Sequence, residues 1–151
     1  MKDKIIISLT TIPSRINKIE PVIDSLCSQI LKPYLIYINI PKKYNRFSEC
    51  PEIPSFLKFN KKVRINYIDT DYGPATKFIG SLLNENINSN DIIVITDDDT
   101  IKERHWLSGL LIYYKYNNII AYEEKNLGKE VVWGYLGFAF INSFIKVAFP
   151  S

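Results

Sequence analysis

Hydrophobic residues along the chain form short apolar runs separated by longer segments of mixed polarity. The runs at residues 4–10, 34–40, 63–69 and 91–96 are rich in β-branched side chains, and 4–10 is apolar almost throughout. Such runs are typical of strands buried on both faces of a parallel sheet. Two later runs, at residues 118–123 and 135–141, also predict strands.

Between the runs, apolar side chains recur every three or four residues. This spacing predicts helices over residues 15–30, from residue 75 to about residue 87, and over residues 103–116. Pro21 lies inside the first of these and indicates either a kink or a later helix start. Strands that alternate with helices predict an α/β fold: one three-layer α/β/α domain over residues 1–151, with a mainly parallel, Rossmann-like central sheet.

Composition narrows the class of protein. The 151 residues are 46% hydrophobic and 23% charged, enough for one buried core. A net charge of +3 does not predict a nucleic-acid binder, which concentrates basic residues on one face. Cys27 and Cys50 lack metal-binding or redox spacing, which favours a reducing compartment. Without a signal peptide or an apolar run of membrane length, the expected location is cytoplasmic, with no transmembrane segment.

Three polar clusters directly follow predicted strands: TTIPSR after the first, DTDYGPATK after the third and TDDDT after the fourth. In an open α/β sheet, ligands bind at the carboxyl ends of the strands. We therefore expect the three clusters to meet at one edge of the sheet.

Three consecutive aspartates, Asp97, Asp98 and Asp99, form the most unusual of these clusters. In an extended chain Asp97 and Asp99 share one face and Asp98 points away. Two converging carboxylates make an oxygen site suited to Mg²⁺ or Mn²⁺. The alternative is a capping role at the start of the following helix, where acidic residues are favoured.

Two basic residues accompany the aspartates. Lys77 lies near the start of a predicted helix, where its ammonium and the free N–H groups suit a phosphate, and Arg15 follows the first strand. The alternative for each is an exposed surface side chain. The single histidine, His105, is expected to have a structural role, because no serine or cysteine motif points to a nucleophilic site.

The ordered segments SLTTIPSRI, IDTDYGPATKFIGSL and DIIVITDDDT resemble the nucleotide-sugar-binding half of GT-A-type glycosyltransferases, near the family 2-like group. The resemblance implies that Asp97 and Asp99, a D-x-D motif, hold Mn²⁺ or Mg²⁺ against the diphosphate of a UDP- or GDP-sugar. It implies a metal-dependent glycosyltransferase of the hexosyltransferase type. The residues that it places around the donor are Thr10, Thr11, Pro13, Arg15, Asp71, Gly73, Lys77 and Asp98. Residues 133–140, WGYLGFAF, resemble the segment beside donor sugar and acceptor.

Two features depart from that family pattern. The sequence NIPKKY after the second strand lacks the acidic residue with which many relatives bind the base. Relatives usually continue beyond the equivalent of Ser151 into an acceptor-binding region, so part of that region is expected to be missing. The catalytic base is unassigned, with Glu123 and Glu124 as the nearest carboxylates.

Three functions therefore remain open. The first is transfer of a sugar to a glycan, protein or lipid acceptor, with an oligomer or a partner chain completing the site. The second is a catalytically inactive nucleotide-sugar-binding or interaction module. The third is a metal-dependent phosphoryl or nucleotidyl transferase, since aspartate pairs at strand ends serve such enzymes too.

Overall fold

A central β-sheet organises the molecule. The structure, a computed structural model, describes residues 4–112, 120–121 and 138–141. Within these ranges the strands are β1 (Ile5–Thr10), β2 (Leu35–Pro41), β3 (Val63–Ile68), β4 (Ile92–Ile95), β5 (Ile120–Ala121) and β6 (Phe138–Ile141). Their order in the sheet is β3-β2-β1-β4-β6-β5.

The sheet is mainly parallel, as the sequence predicts. β1 pairs in parallel with β2 and with β4, and β2 pairs in parallel with β3. β6 runs antiparallel to β4, and β5 antiparallel to β6, a reversal that the alternating pattern did not reveal. The parallel arrangement brings the carboxyl ends of β1 to β4 to one edge.

Helices cover both faces of the sheet, which confirms the three-layer α/β prediction. They are α1 (Glu20–Cys27), α2 (Ser55–Lys58), α3 (Thr76–Leu82) and α4 (Trp106–Ile112). Neighbouring residues of β1 pack on opposite faces of the sheet. Ile7 belongs to a cluster with Leu26 of α1 and Leu107 of α4, whereas Ile6 belongs to a cluster with Phe78 of α3. Because β1 is buried on both sides, its apolar run is nearly continuous.

Helix bounds differ from the predictions at the proline residues. The first helix begins only at Glu20, after a 3₁₀ turn over Ile16–Lys18, and Pro21 lies in its first turn, where its missing N–H group costs no hydrogen bond. A second 3₁₀ turn, Gly73–Ala75, contains Pro74 and leads into α3. Within the described part of the chain, no helix has the length and apolarity needed to cross a membrane.

The last predicted elements are only partly described. Within the runs at 118–123 and 135–141, the described residues Ile120–Ala121 and Phe138–Ile141 are in strands. Residues 113–119, 122–137 and 142–151 lie outside the described part of the chain. Glu123, Glu124 and residues 133–137 of the WGYLGFAF segment therefore lie outside it as well.

Candidate functional site

The three polar clusters meet at the carboxyl edge of the sheet, as expected, around a cavity of about 160 Å³. Loops after β1, β2, β3 and β4 all contribute to its wall. Its lining residues are Thr10, Thr11, Ile12, Arg15, Pro41, Tyr44, Arg46, Phe47, Asp71, Gly73, Pro74, Lys77, Asp97 and Asp98.

Arg15 joins the loop after β1 to the aspartate cluster. Its Nη2 lies 3.0 Å from Asp98 Oδ1, and its Nη1 lies 3.5 Å from Asp99 Oδ2. The Asp98 side chain is only 2% exposed, whereas that of Asp99 is 57% exposed. The chain bends at Asp98 and Asp99, so the alternation of an extended strand does not continue through the cluster, and Asp98 is the carboxylate turned inward.

Burial raises the pKa of Asp98, and the Thr11 hydroxyl and Arg15 guanidinium oppose this rise. Although Thr11 is close enough to influence that pKa, neither Thr11 Oγ1 nor Asp98 Oδ2 has a hydrogen-bond partner of normal geometry among the described residues. Both atoms are buried beside the cavity. A buried oxygen without a partner costs about 1–3 kcal/mol, which a bound ligand or ion would recover.

Lys77 pairs with Asp97, and both side chains are largely shielded, at 14% and 27% exposure. A second lysine, Lys102, is buried, and its ammonium lies 5.4 Å from the centre of the Trp106 ring. Burial lowers the pKa of Lys102, while the charges of Asp97 and Asp99 oppose that shift. Arg15, Lys77 and Lys102 thus place three basic side chains near the three carboxylates.

A buried polar network fixes the helix that carries Lys77. Ser8 Oγ donates a hydrogen bond to the Lys77 carbonyl at 2.6 Å. Asn39 Nδ2 donates to Ser8 Oγ at 2.8 Å, and Asn66 Nδ2 donates to Asn39 Oδ1 at 2.8 Å and to the Gly80 carbonyl at 3.1 Å. Side chains of β1, β2 and β3 therefore hold the backbone of α3 at two points.

Asp71 closes the cavity wall by joining two loops. Its Oδ2 accepts from the Asn45 backbone N–H at 2.8 Å, and its Oδ1 accepts from the Gly73 N–H at 2.8 Å. Gly73 has φ +57°, a conformation that favours glycine, which explains its place in this turn. Both carboxylate oxygens of Asp71 are thus occupied by the protein backbone.

The loop after β2 contributes residues that the sequence interpretation missed. Tyr44 is buried, and its hydroxyl donates to the Thr11 carbonyl at 2.9 Å. Its ring meets that of Phe47 edge to face, with centroids 5.8 Å apart. The exposed Arg46 lies on the same wall. The signal available in the sequence was the position of these residues shortly after the end of the second predicted strand.

Two predicted site residues lie outside this cavity. Pro13 lines a separate groove with Ile16 and Asn17, and Asp99, whose side chain is 57% exposed, is not part of the cavity lining. Thr10 lines the cavity, but its hydroxyl already donates to the Asn39 carbonyl at 2.7 Å.

The metal prediction finds no support among the described residues. Among the described residues, no three His, Cys, Asp or Glu side chains are grouped so as to hold a metal ion. Mg²⁺, however, usually binds through one or two carboxylates and completes its shell with water and phosphate oxygens. In this cluster, however, each carboxylate already pairs with a basic side chain, Asp97 with Lys77 and both Asp98 and Asp99 with Arg15, so the metal role of Asp97 and Asp99 stays a prediction.

Comparisons with known proteins support the fold. No protein-family model and no curated protein matches the chain. A crystal structure of 4-diphosphocytidyl-2C-methyl-D-erythritol synthase superposes with a TM-score of 0.62 at 12% identity, over 100% of this chain and 79% of that one. The apo-form glycosyltransferase GlyE of Streptococcus pneumoniae TIGR4 superposes with a TM-score of 0.56 at 13% identity, over 97% of this chain and 36% of that one. The chain therefore shares its α/β fold with a synthase and with a glycosyltransferase.

Proposed function

We propose that the chain binds a nucleotide-diphosphate sugar at the carboxyl edge of its sheet and transfers the sugar to an acceptor. The observation that carries this proposal is one cavity lined by the cations Arg15 and Lys77, the carboxylates of Asp97 and Asp98, and the aromatic pair Tyr44 and Phe47. Cations suit a diphosphate, and an apolar aromatic wall suits a base or ribose. The glycosyltransferase similarity adds support through the fold.

Each group has a distinct part in this proposal. Asp97 and Asp99 would hold Mg²⁺ or Mn²⁺, with Asp98 beside them fixing Arg15. A divalent ion supplies Lewis-acid stabilisation of the negative charge that grows on the departing diphosphate. Lys77 and Arg15 would place positive charge beside the same phosphates. The two loops that the Asp71 carboxylate joins would enclose the nucleoside.

The test is calorimetric titration of UDP, GDP and their sugar conjugates into the purified protein, with Mn²⁺ and with a chelator. We expect binding that requires Mn²⁺ and disappears in Asp97→Ala/Asp99→Ala. Lys42→Ala is the matched control, because Lys42 is exposed and pairs only with the exposed Asp69 among the described residues. Binding that a chelator leaves unchanged would contradict the metal role, and absence of nucleotide binding would contradict the proposal.

An inactive nucleotide-sugar-binding module is the alternative that keeps the same site. It is motivated by the extent of the glycosyltransferase superposition, which covers only 36% of the GlyE chain. It predicts nucleotide-sugar binding without transfer or donor hydrolysis. Sugar transfer by the purified chain that is lost in Asp99→Ala would exclude it.

A nucleotidyl transferase is a second candidate, favoured by the superposition over most of the length of the diphosphocytidyl-methylerythritol synthase. Such an enzyme would use a nucleoside triphosphate and release diphosphate. Adding CTP, UTP and GTP to the titration series and assaying diphosphate release separates this function from glycosyl transfer. Triphosphate turnover with no use of nucleotide sugars would favour it.

A further inference from the structure

We propose that the edge of the sheet opposite the cavity docks on an anionic lipid surface, where exposed apolar side chains enter the lipid and lysines pair with the headgroups. This amino-edge patch consists of residues 30–34 (ILKPY), residues 58–62 (KFNKK) and Lys4. None of these residues lines the cavity, so the inference is independent of the function proposed above.

Strand direction places the patch in the fold. Lys4, Tyr34 and Lys62 directly precede β1, β2 and β3. Because these strands are parallel, their amino ends lie at one edge of the sheet and their carboxyl ends, where the cavity lies, at the other. A strand of the length of β1 spans about 20 Å, so docking at the amino edge keeps the cavity about that far from the lipid.

Exposed apolar side chains are concentrated in the patch. Phe59 is 83% exposed, Ile30 52%, Tyr34 48% and Leu31 37%. These four are half of the eight large apolar side chains that are exposed in the described part of the chain. Single apolar residues are ordinary on a protein surface, whereas a group of them marks an interaction surface.

Hydrogen bonds hold the two segments of the patch side by side. Lys62 Nζ donates to the Pro33 carbonyl at 3.0 Å. Asn60 Nδ2 donates to Cys27 Sγ at 3.7 Å, and Lys32 Nζ donates to the Cys27 carbonyl at 3.2 Å. The exposed side chains of both segments therefore belong to one surface.

The charge of the two segments is entirely positive. They contain no acidic residue, and they carry four exposed lysines, Lys32, Lys58, Lys61 and Lys62. Each lysine close to an anionic lipid surface adds attraction to it. The long aliphatic stem of lysine lets its ammonium stay among the headgroups while apolar neighbours lie deeper.

The combination of lysines with aliphatic side chains favours lipid over nucleic acid. A nucleic acid would attract the lysines, and its bases could stack on Phe59, but it would leave the aliphatic side chains of Ile30 and Leu31 in water. A lipid surface takes up both kinds of group, because it offers anionic headgroups beside an apolar interior.

The deciding experiment is co-sedimentation of the purified protein with phosphatidylcholine vesicles, with and without phosphatidylserine. Wild type should bind the vesicles that contain phosphatidylserine, and added salt should weaken this binding by screening the lysines. Lys58→Gln/Lys61→Gln should bind at least about tenfold more weakly, since each lysine contributes about fivefold. Lys42→Gln/Lys43→Gln, which removes two exposed lysines after β2 at the cavity edge, is the matched control and should bind as wild type does.

Phe59 tests the apolar part of the contact. Phe59→Ala should weaken vesicle binding about tenfold, because the ring no longer enters the lipid. At 83% exposure the ring adds little to folding, so urea denaturation should match wild type. Leu83→Ala, at an exposed position that lines a groove with Lys42 and Asp69, is the matched control.

Fluorescence distinguishes insertion from adsorption. In Phe59→Trp, lipids brominated on their acyl chains should quench fluorescence beyond the quenching in wild type, because the new indole lies in the lipid. Leu83→Trp should show no such addition. Equal quenching in Phe59→Trp and Leu83→Trp would contradict insertion of the patch.

Failure of wild type to bind the phosphatidylserine vesicles would overturn the proposal, as would unchanged binding by both Phe59→Ala and Lys58→Gln/Lys61→Gln. Binding of RNA or DNA through the same lysines, without vesicle binding, would assign the patch to a nucleic acid instead. Sedimentation velocity tests the remaining occupant: self-association that is lost in Phe59→Ala, without vesicle binding, would assign the patch to a second copy of the chain.

Discussion

Gly80 of α3 packs directly against Asn39 of β2, so closely that a Cβ atom at Gly80 would lie 2.6 Å from Asn39 Cγ. Asn39 is fully buried and donates to Ser8 Oγ and to the Leu9 carbonyl. It therefore cannot move aside without breaking hydrogen bonds to β1. The glycine lets α3, which carries Lys77, approach the sheet at the edge where the cavity lies.

We predict that Gly80→Ala lowers the free energy of unfolding by about 1–3 kcal/mol, because the added methyl group overpacks a site that cannot relax. In an unconstrained helix the same change stabilises by about 0.5–1 kcal/mol, so the sign of the effect is diagnostic. Urea denaturation measures it, and Leu83→Ala, at a position 61% exposed, is the surface control. A more stable Gly80→Ala protein would contradict the packing.

Arg15→Gln should destabilise the protein by about 1–3 kcal/mol, because it leaves the buried Asp98 carboxylate without its cation. Adding Asp98→Asn should recover part of this loss, since the amide carries no charge. Lys42→Gln, in an exposed ion pair, should change the unfolding free energy by less than about 1 kcal/mol. Equal losses in the single and double variants would show that Arg15 does not act through Asp98.

Asp71→Ala should release the two loops that its carboxylate joins. Hydrogen exchange at the Asn45 and Gly73 amides should become faster, because both donate to that carboxylate. Nucleotide binding should weaken through loss of order in the cavity wall. Asp69→Ala is a matched control nearby, because the Asp69 side chain is 85% exposed and pairs with Lys42. Unaltered hydrogen exchange at both amides would show that the Asp71 carboxylate does not join the two loops in solution.

Tyr44→Phe should cost about 1 kcal/mol at neutral pH through loss of the hydrogen bond to the Thr11 carbonyl. Burial raises the pKa of Tyr44, so the unfolded state loses its proton at lower pH than the folded state does. The stability that the buried, neutral Tyr44 hydroxyl contributes is present below the ordinary tyrosine pKa of about 10 and is lost as pH rises above it.

The difference in unfolding free energy between wild type and Tyr44→Phe should therefore shrink between about pH 10 and pH 11. Urea denaturation at a series of pH values measures the difference directly. Tyr67→Phe, at a position 49% exposed, should change neutral-pH stability by less than about 0.5 kcal/mol. A constant difference for Tyr44→Phe across this range would contradict the burial of its hydroxyl.

The pattern of apolar and polar residues along the chain was enough to predict the sheet strands and the edge where the polar clusters meet. The run at 4–10 is apolar because β1 is buried on both faces, and the aspartates follow β4 because the strand ends at Ile95. Parallel strands end at the same edge, so Arg15, Lys77 and Asp97 were expected to converge, and all three line one cavity. These features follow from periodicity and chain direction, which the sequence carries explicitly.

Long-range contacts decided the rest. Only the folded chain shows that the buried Asp98 pairs with Arg15, that the Asp71 carboxylate accepts hydrogen bonds from two loops, and that the Tyr44 hydroxyl donates to the Thr11 carbonyl. It also shows β6 reversed against β4. Each depends on residues far apart in the chain, whose side-chain directions are set by packing and by the need to pair buried polar atoms. The sequence by itself determined which residues gather at the edge, and tertiary structure determined which of them pair and which remain available to a ligand.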